Sequence, residues 1–380
     1  MRRVKKTAYY SWLIGSMPKG CELCVRGRKL VLFVTGLCPR NCYYCPLSDT
    51  KKNLDVTFAN EWKTSSDEEI ITEARLCSSR GAGITGGDPL VRLKRTLHYI
   101  KLLKSEFDDF HIHLYTSLKL LTKARLRLLY NAGLDEIRVH PKLEDDGDWQ
   151  RIRLLSEFKW DKGIEIPVIP GMEKETRQLI DYAEGKVGFI NLNELEIADN
   201  NASKLLEQGF VPKDRSSYAV KGSHQMAMRL MRYLRGKSLN NHYCTARLKD
   251  RVQLASRIKL RARSVAQRFD RITPEGTLIR GVIYASNAKP GFSYHKNLTR
   301  LRPDEKKRIL KDLKDLKTML SREYRIRPEL LVLDNDKPRL LTSPGLVEKL
   351  SARIKQDGFC PAIVEEYPTK DAMEVEVEFV

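Results

Sequence analysis

"KLVLFVTGLCPRNCYYCPLS", residues 29–48, joins two kinds of sequence. Its first half is an aliphatic, β-branched run of strand length. Its second half sets Cys38, Cys42 and Cys45 within eight positions, with Pro39 and Pro46 marking the segment as a loop. In open α/β sheets the chemistry sits beyond the carboxyl ends of strands, which is where this loop lies. Three thiols so close together are disulfide partners, metal ligands or chance neighbours.

Working outward, short apolar runs recur at 82–87, 110–117, 134–141, 163–171 and 188–199. Between them, 67–81, 92–107 and 123–133 repeat apolar residues every three to four positions and end near Gly81 and Gly133. Strands and helices in alternation predict an α/β fold with a parallel sheet, curled into a partial or full (β/α) barrel over 29–200. A separate C-terminal α+β domain is expected over 276–380, preceded by a basic, largely helical segment at 201–275 and with an N-terminal segment at 1–28. The polar residues closing the strands, among them Thr116, Ser117, Arg138, His140, Asn193 and Glu196, would gather at one rim.

No apolar run reaches the roughly 18 residues a membrane helix requires. A chain rich in lysine and arginine, with "MRRVKK" followed by only a short apolar stretch, is expected in the cytoplasm with its eight cysteines reduced. Five of those cysteines fall within residues 21–45, which points to metal rather than disulfides. The net charge of +20 is uneven: residues 201–300 hold 21 basic against 5 acidic side chains, a net of +16. Within them, 246–269 reads as one helix with eight Lys/Arg and one Asp, its buried stripe drawn from Val252, Leu254, Ala255, Ile258 and Val265. With Tyr218, Tyr233 and Tyr243 nearby, this segment is a candidate RNA-binding face, most plausibly for tRNA.

Iron-sulfur clusters take thiolates from short loops of this kind, and three cysteines on a four-iron cube leave one iron open. A tetrahedral zinc site would need a fourth ligand from elsewhere. The C-x3-C-x2-C loop, with Tyr44 before its last cysteine, and "TGGDPL" at the end of the second strand together resemble the radical S-adenosylmethionine (SAM) superfamily. The resemblance spans about residues 25–200. "GGDP" and "IEIPVIPG" are more narrowly similar to the pyruvate formate-lyase activating enzyme branch and to archaeal proteins related to it.

This resemblance implies a [4Fe-4S] cluster on Cys38, Cys42 and Cys45, with SAM chelating the open iron. It further implies Asp88, Gly86 and Gly87 around the methionyl amino group, Tyr44 beside the adenine, and Thr116 and Ser117 near the cofactor. Asp88 stands where the superfamily usually has Glu, one methylene longer. The reaction implied is hydrogen abstraction from a substrate, fed by a reductant such as ferredoxin or flavodoxin. RNA modification is the first expectation; a protein-modifying or glycyl-radical-activating enzyme is the alternative. A non-catalytic, metal-containing nucleic-acid-binding protein is a remote third.

Cys21 and Cys24 form a C-x2-C half-site upstream, and Cys244, with His242 close by, is the expected partner in a second site for zinc or another iron-sulfur cluster. Cys77 and Cys360 read as structural. The sequence assigns no residue that performs the chemistry and no particular substrate.

Overall fold

In the computed structural model, which describes residues 1–198, 203–215 and 217–380, all six expected strands form. From the N-terminus come β1 (Trp12–Ile14), helix α1 (Lys19–Val25), then β2 (Lys29–Phe33), β3 (Gly81–Thr85), β4 (His111–Ser117), β5 (Glu136–His140), β6 (Asp161–Val168) and β7 (Phe189–Glu194). Each pairs in parallel with the next from β2 to β7. The helices between are α2 (Asp67–Leu76), α3 (Leu93–Glu106), α4 (Lys123–Asn131) and α5 (Glu173–Ala183). Ser66 and Glu69 form a capping box at the start of α2, satisfying two otherwise orphaned N–H groups.

The sheet does not stop near residue 200. After α6 (Ser223–Leu234), β8 (Asn240–Cys244) adds in parallel to β7, and β1 pairs antiparallel with β8. Parts of both the N-terminal segment and the basic segment are thus sheet. The expected boundary at 200 lies outside the described residues. At the other edge a hairpin of Thr57–Ala59 and Trp62–Thr64 pairs with β2. The two edges are not hydrogen-bonded to each other, so the barrel is partial.

Successive residues of a strand point to opposite faces, and here the faces differ in kind. Leu32, Ile84, Leu114, Ile137, Val139, Ile164 and Ile190 are fully buried in one core with helix residues such as Ile100, Leu126, Leu179 and Leu230. The residues between them, including His113, Tyr115, Arg138, Glu165, Asn191 and His242, face the barrel interior and are polar. Helix α1 lies across the amino ends of the strands. A Cβ on its Gly20 would stand 2.6 Å from His113 Nδ1 and 2.7 Å from Arg138 Nη2, so only glycine fits there.

Residues 246–269 do not form one helix. A turn at Ala246–Leu248 leads into a π-helical stretch, Lys249–Leu254, and then α7 (Ala255–Val265). The wider π turn rotates the face that packs inward. Leu254, expected in the buried stripe, is 41% exposed, while Arg257 and Arg261 are buried. Arg257 pairs with Glu61 at the tip of the hairpin, tying this segment to the far edge of the sheet.

The chain divides into two compact units, 1–257 and 258–380. In the second, β9 (Leu278–Ala285) lies between β11 (Arg339–Thr342) and β12 (Phe359–Glu366), with β10 (Val332–Asp334) and β13 (Glu374–Phe379) outside them, all antiparallel. Helices α8 (Pro303–Glu323), α9 (Pro344–Lys349) and α10 (Ser351–Gln356) pack with this sheet, and Leu313, Leu320, Leu340 and Val347 are fully buried among them. This is the expected α+β module, and the acidic β13 is its edge strand.

Candidate active site

A cavity of about 760 Å³ opens at the carboxyl ends of the barrel strands. Its wall takes Cys38, Cys42 and Tyr44 from the loop after β2, Gly86 and Gly87 after β3, and Thr116 and Ser117 at the end of β4. Arg138, His140, Glu165, Asn193 and Glu196 line it further round. The rim expected from the sequence is therefore a single site.

Asp88 does not line it. The side chain is fully buried, and its Oδ1 accepts from the Leu90 N–H (3.0 Å) and Thr116 Oγ1 (2.8 Å). Its Oδ2 accepts from the N–H and Oγ of Ser117 (3.0 and 2.7 Å). Those four donors fill the lone pairs of a carboxylate. Asp88 thus clamps the ends of β3 and β4 together, with the hydroxyls of Thr116 and Ser117 turned to it. Nor do the glycines serve only a ligand: a Cβ on Gly86 would sit 2.5 Å from the Thr35 carbonyl, and one on Gly87 2.5 Å from that of Leu37. The start of the cysteine loop packs against them.

Tyr44 and His140 form a second fixed pair. His140 Nδ1 donates to the Glu165 carbonyl (2.9 Å), so Nε2 is the acceptor for the Tyr44 hydroxyl (3.0 Å). Burial, reinforced by the Arg40 charge, lowers the His140 pKa to about 4, which keeps that tautomer neutral. Deeper, Arg138 donates to Glu136 and Glu165 and to Tyr115 Oη. Burial alone would raise the Glu165 pKa, but Arg138, Asn193 and Asn191 outweigh it and hold it down to about 2. The floor of the cavity is a fixed ion chain rather than a set of free acids. Lys249, on the π turn, pairs with Glu196 at the wall.

None of the eight cysteines is in a disulfide. Cys38, Cys42 and Cys45 are half-buried on the loop; Cys21 and Cys24 are buried on α1. Asn191 Nδ2 donates to Cys21 Sγ (3.3 Å), and burial pushes that thiol up to about 11. Cys244 ends β8 beside Asn193, and burial raises its pKa too. Among the described residues, the group of three donors lying within 4.8 Å of one another is His111, Glu136 and Asp161. Neither cysteine set forms such a group. That suits the loop, since cysteines of a cubane cluster attach to different irons. Cys21, Cys24 and Cys244 lie farther apart than that group, yet the Cys24 and Cys21 thiols are near enough to Cys244 to help raise its pKa.

The sequence reading missed His111, Glu136, Tyr115, Glu165 and Asn191 as interior residues. The available signal was alternation: buried parallel strands are normally apolar throughout, yet "HIHLYTS" and "EIRVH" are polar at every second position. The basic segment is less open than its composition implies. Lys249 and Arg257 are paired, Arg261 is buried and Arg247 lies over the Tyr10 ring. Of the aromatics expected to stack on bases, Tyr243 is buried and Tyr233 donates to Asp181, leaving Tyr218 exposed.

Residues 32–146 match the radical SAM superfamily. Residues 276–378 match a domain of unknown function, DUF8061. The chain belongs to the radical SAM superfamily; it is an enzyme whose cofactors are a [4Fe-4S] cluster and S-adenosylmethionine. Over 373 residues, 95% of its length, it is 40% identical to the "Putative glycyl-radical enzyme activating enzyme MJ0021" of Methanocaldococcus jannaschii, 92% of which is covered. Over 184 residues it is 24% identical to the PqqA peptide cyclase of Bradyrhizobium diazoefficiens, covering 45% of this chain and 46% of that one. Among solved structures, Streptococcus suis SuiB bound to S-adenosylmethionine aligns with a TM-score of 0.41 at 11% identity, covering 57% of this chain and 50% of the other. RNA modification draws no support from these relatives. No helix among the described residues is long and apolar enough to cross a membrane.

Proposed function

We propose that the enzyme acts on a protein, abstracting a hydrogen atom from a backbone Cα as an activator of a glycyl-radical enzyme. The observation that carries this reading is the similarity, along nearly the whole chain, to a relative named for that activity. Cys38, Cys42 and Cys45 would hold the cluster, for they are unpaired, partly exposed thiols at the mouth of a cavity that can take a cofactor. When bound, cluster and cofactor supply a 5′-deoxyadenosyl radical.

The chain's own residues bind and orient. Among the described residues no backbone N–H is donated to the carbonyls of Gly86 and Gly87, which would accept from an ammonium group, while Asp88 fixes the strands that carry the pocket wall. Tyr44, held by His140, gives the wall a rigid aromatic edge. Arg138, Glu165 and Asn193 form a floor whose charges are already paired, so no proton is lost to it during radical transfer.

The test is anaerobic turnover in extract from cells grown on α-deuterated glycine. Deuterium in the released 5′-deoxyadenosine is expected. Release of unlabelled 5′-deoxyadenosine, with label appearing instead when the extract's RNA is deuterated, would overturn the protein reading.

A further inference from the structure

At the end of the barrel remote from the cysteine loop, β4, β5 and β6 begin side by side, with Glu136 opposite both His113 and Asp161 in register. His111, two residues before His113, falls on the same inner face. One donor atom from each of His111, Glu136 and Asp161 lies within 4.8 Å of the others, and His111 Nε2 is 3.5 Å from Glu136 Oε2.

Three features set this group apart from an ordinary surface cluster. Both ring nitrogens of His111 are shielded from solvent, yet neither has a hydrogen-bond partner. Buried polar atoms are rarely left so. Glu136 is fully buried and cannot turn away, because its Oε1 accepts from Arg138 and its Oε2 from the Gly20 N–H (3.2 Å) at the start of α1. Oε2 still keeps one lone pair. Asp161, exposed to solvent, brings a second carboxylate against the first and has no ion-pair partner among the described residues. An imidazole without a hydrogen-bond partner, and an unpaired carboxylate set against one whose other oxygen already serves Arg138, are each unfavourable alone. One cation satisfies all three.

We propose that His111, Glu136 and Asp161 bind a first-row divalent metal ion at the closed end of the barrel. One imidazole nitrogen with two carboxylate oxygens suits manganese, iron or zinc; the imidazole disfavours magnesium and calcium, and the exposed side of Asp161 admits water to complete the shell. The ion would pin α1 to the strands through Glu136. It would also sit at one end of the chain Glu136–Arg138–Glu165 that runs to the cavity floor. The site is independent of the radical chemistry and of the protein-substrate reading.

Mn²⁺ titration of the full-length, cluster-loaded enzyme tests it, followed by the loss of the aqueous Mn²⁺ electron paramagnetic resonance signal. In that form the loop thiols are occupied, and Mn²⁺ prefers nitrogen and oxygen to sulfur. One saturable site is expected, weakened at least about tenfold in both His111→Ala and Asp161→Asn. Mn²⁺ should also raise the melting temperature of the wild type and of neither variant. If His111→Ala fails to fold, His111→Gln keeps the shape and is read in the same titration. Variants that bind as tightly as the wild type, or a wild type with no saturable site below about 1 mM, would overturn the proposal.

Discussion

The two cysteine sets contain the same side chain in opposite settings. Cys38, Cys42 and Cys45 stand half-buried on a proline-marked loop, with Cys38 and Cys42 in the cavity wall. Cys21 and Cys24 lie on a helix at the closed base, where burial drives the Cys21 pKa up to about 11 and Asn191 occupies its sulfur. Spacing alone made both sets look like ligands. What separates them is access: the loop sulfurs are half-exposed, two of them at the cavity wall, whereas Cys21 and Cys24 are shut in against the strands.

The contrast can be broken most sharply by exchanging Cys38, Cys42 or Cys45 for Ala. Each variant is expected to lose the cluster's iron and to lower 5′-deoxyadenosine formation by about a thousandfold or more, a loss of about 4 kcal/mol in transition-state terms. Iron content and product release check it.

Next in size is Asp88→Asn. An amide cannot accept four hydrogen bonds and turns a donor toward Thr116 or Ser117, so stability should fall by about 2–3 kcal/mol. The affinity for S-adenosylmethionine, read by calorimetry, should fall with it. If affinity collapses while the unfolding midpoint holds, Asp88 contacts the cofactor and the clamp is secondary.

At the base, Gly20→Ala forces His113 and Arg138 apart and should cost about 1–3 kcal/mol, with iron binding unchanged. Cys21→Ala should cost least, about 1 kcal/mol, again with full iron content. Loss of a cluster's worth of iron in Cys21→Ala would erase the distinction between the sets.

Acid provides a separate probe of the rim. The folded-state pKa of His140 is about 4, below the unfolded value, so the unfolded chain takes up the proton first. The contribution is whole above about pH 6.5 and is lost as the pH falls from there to 4. The Tyr44 contact should be lost with it, since a protonated Nε2 cannot accept. Urea midpoints measured from pH 7 to 4 should decline less steeply in His140→Gln.

The strands and the cysteine loop were legible because their signals are local: apolar runs of fixed length, loop prolines and ligand spacing. The addition of β8 was not, since "NNHYC" carries no aliphatic run and its pairing depends on a neighbour some fifty residues away. The role of Asp88 was hidden for a related reason: four donors from three residues meet it only once β3 and β4 are paired. Arg257, which reads as a surface charge within a basic run, is buried by an acid at position 61.

Helix α1 covers the amino ends of the barrel strands, so the doorway to the cavity is the rim at their carboxyl ends. Two ligands that share one doorway cannot exchange independently; the one seated first waits for the other to leave. Steady-state kinetics are therefore expected to show a compulsory order of arrival and the reverse order of departure, with product inhibition that is competitive against one substrate only.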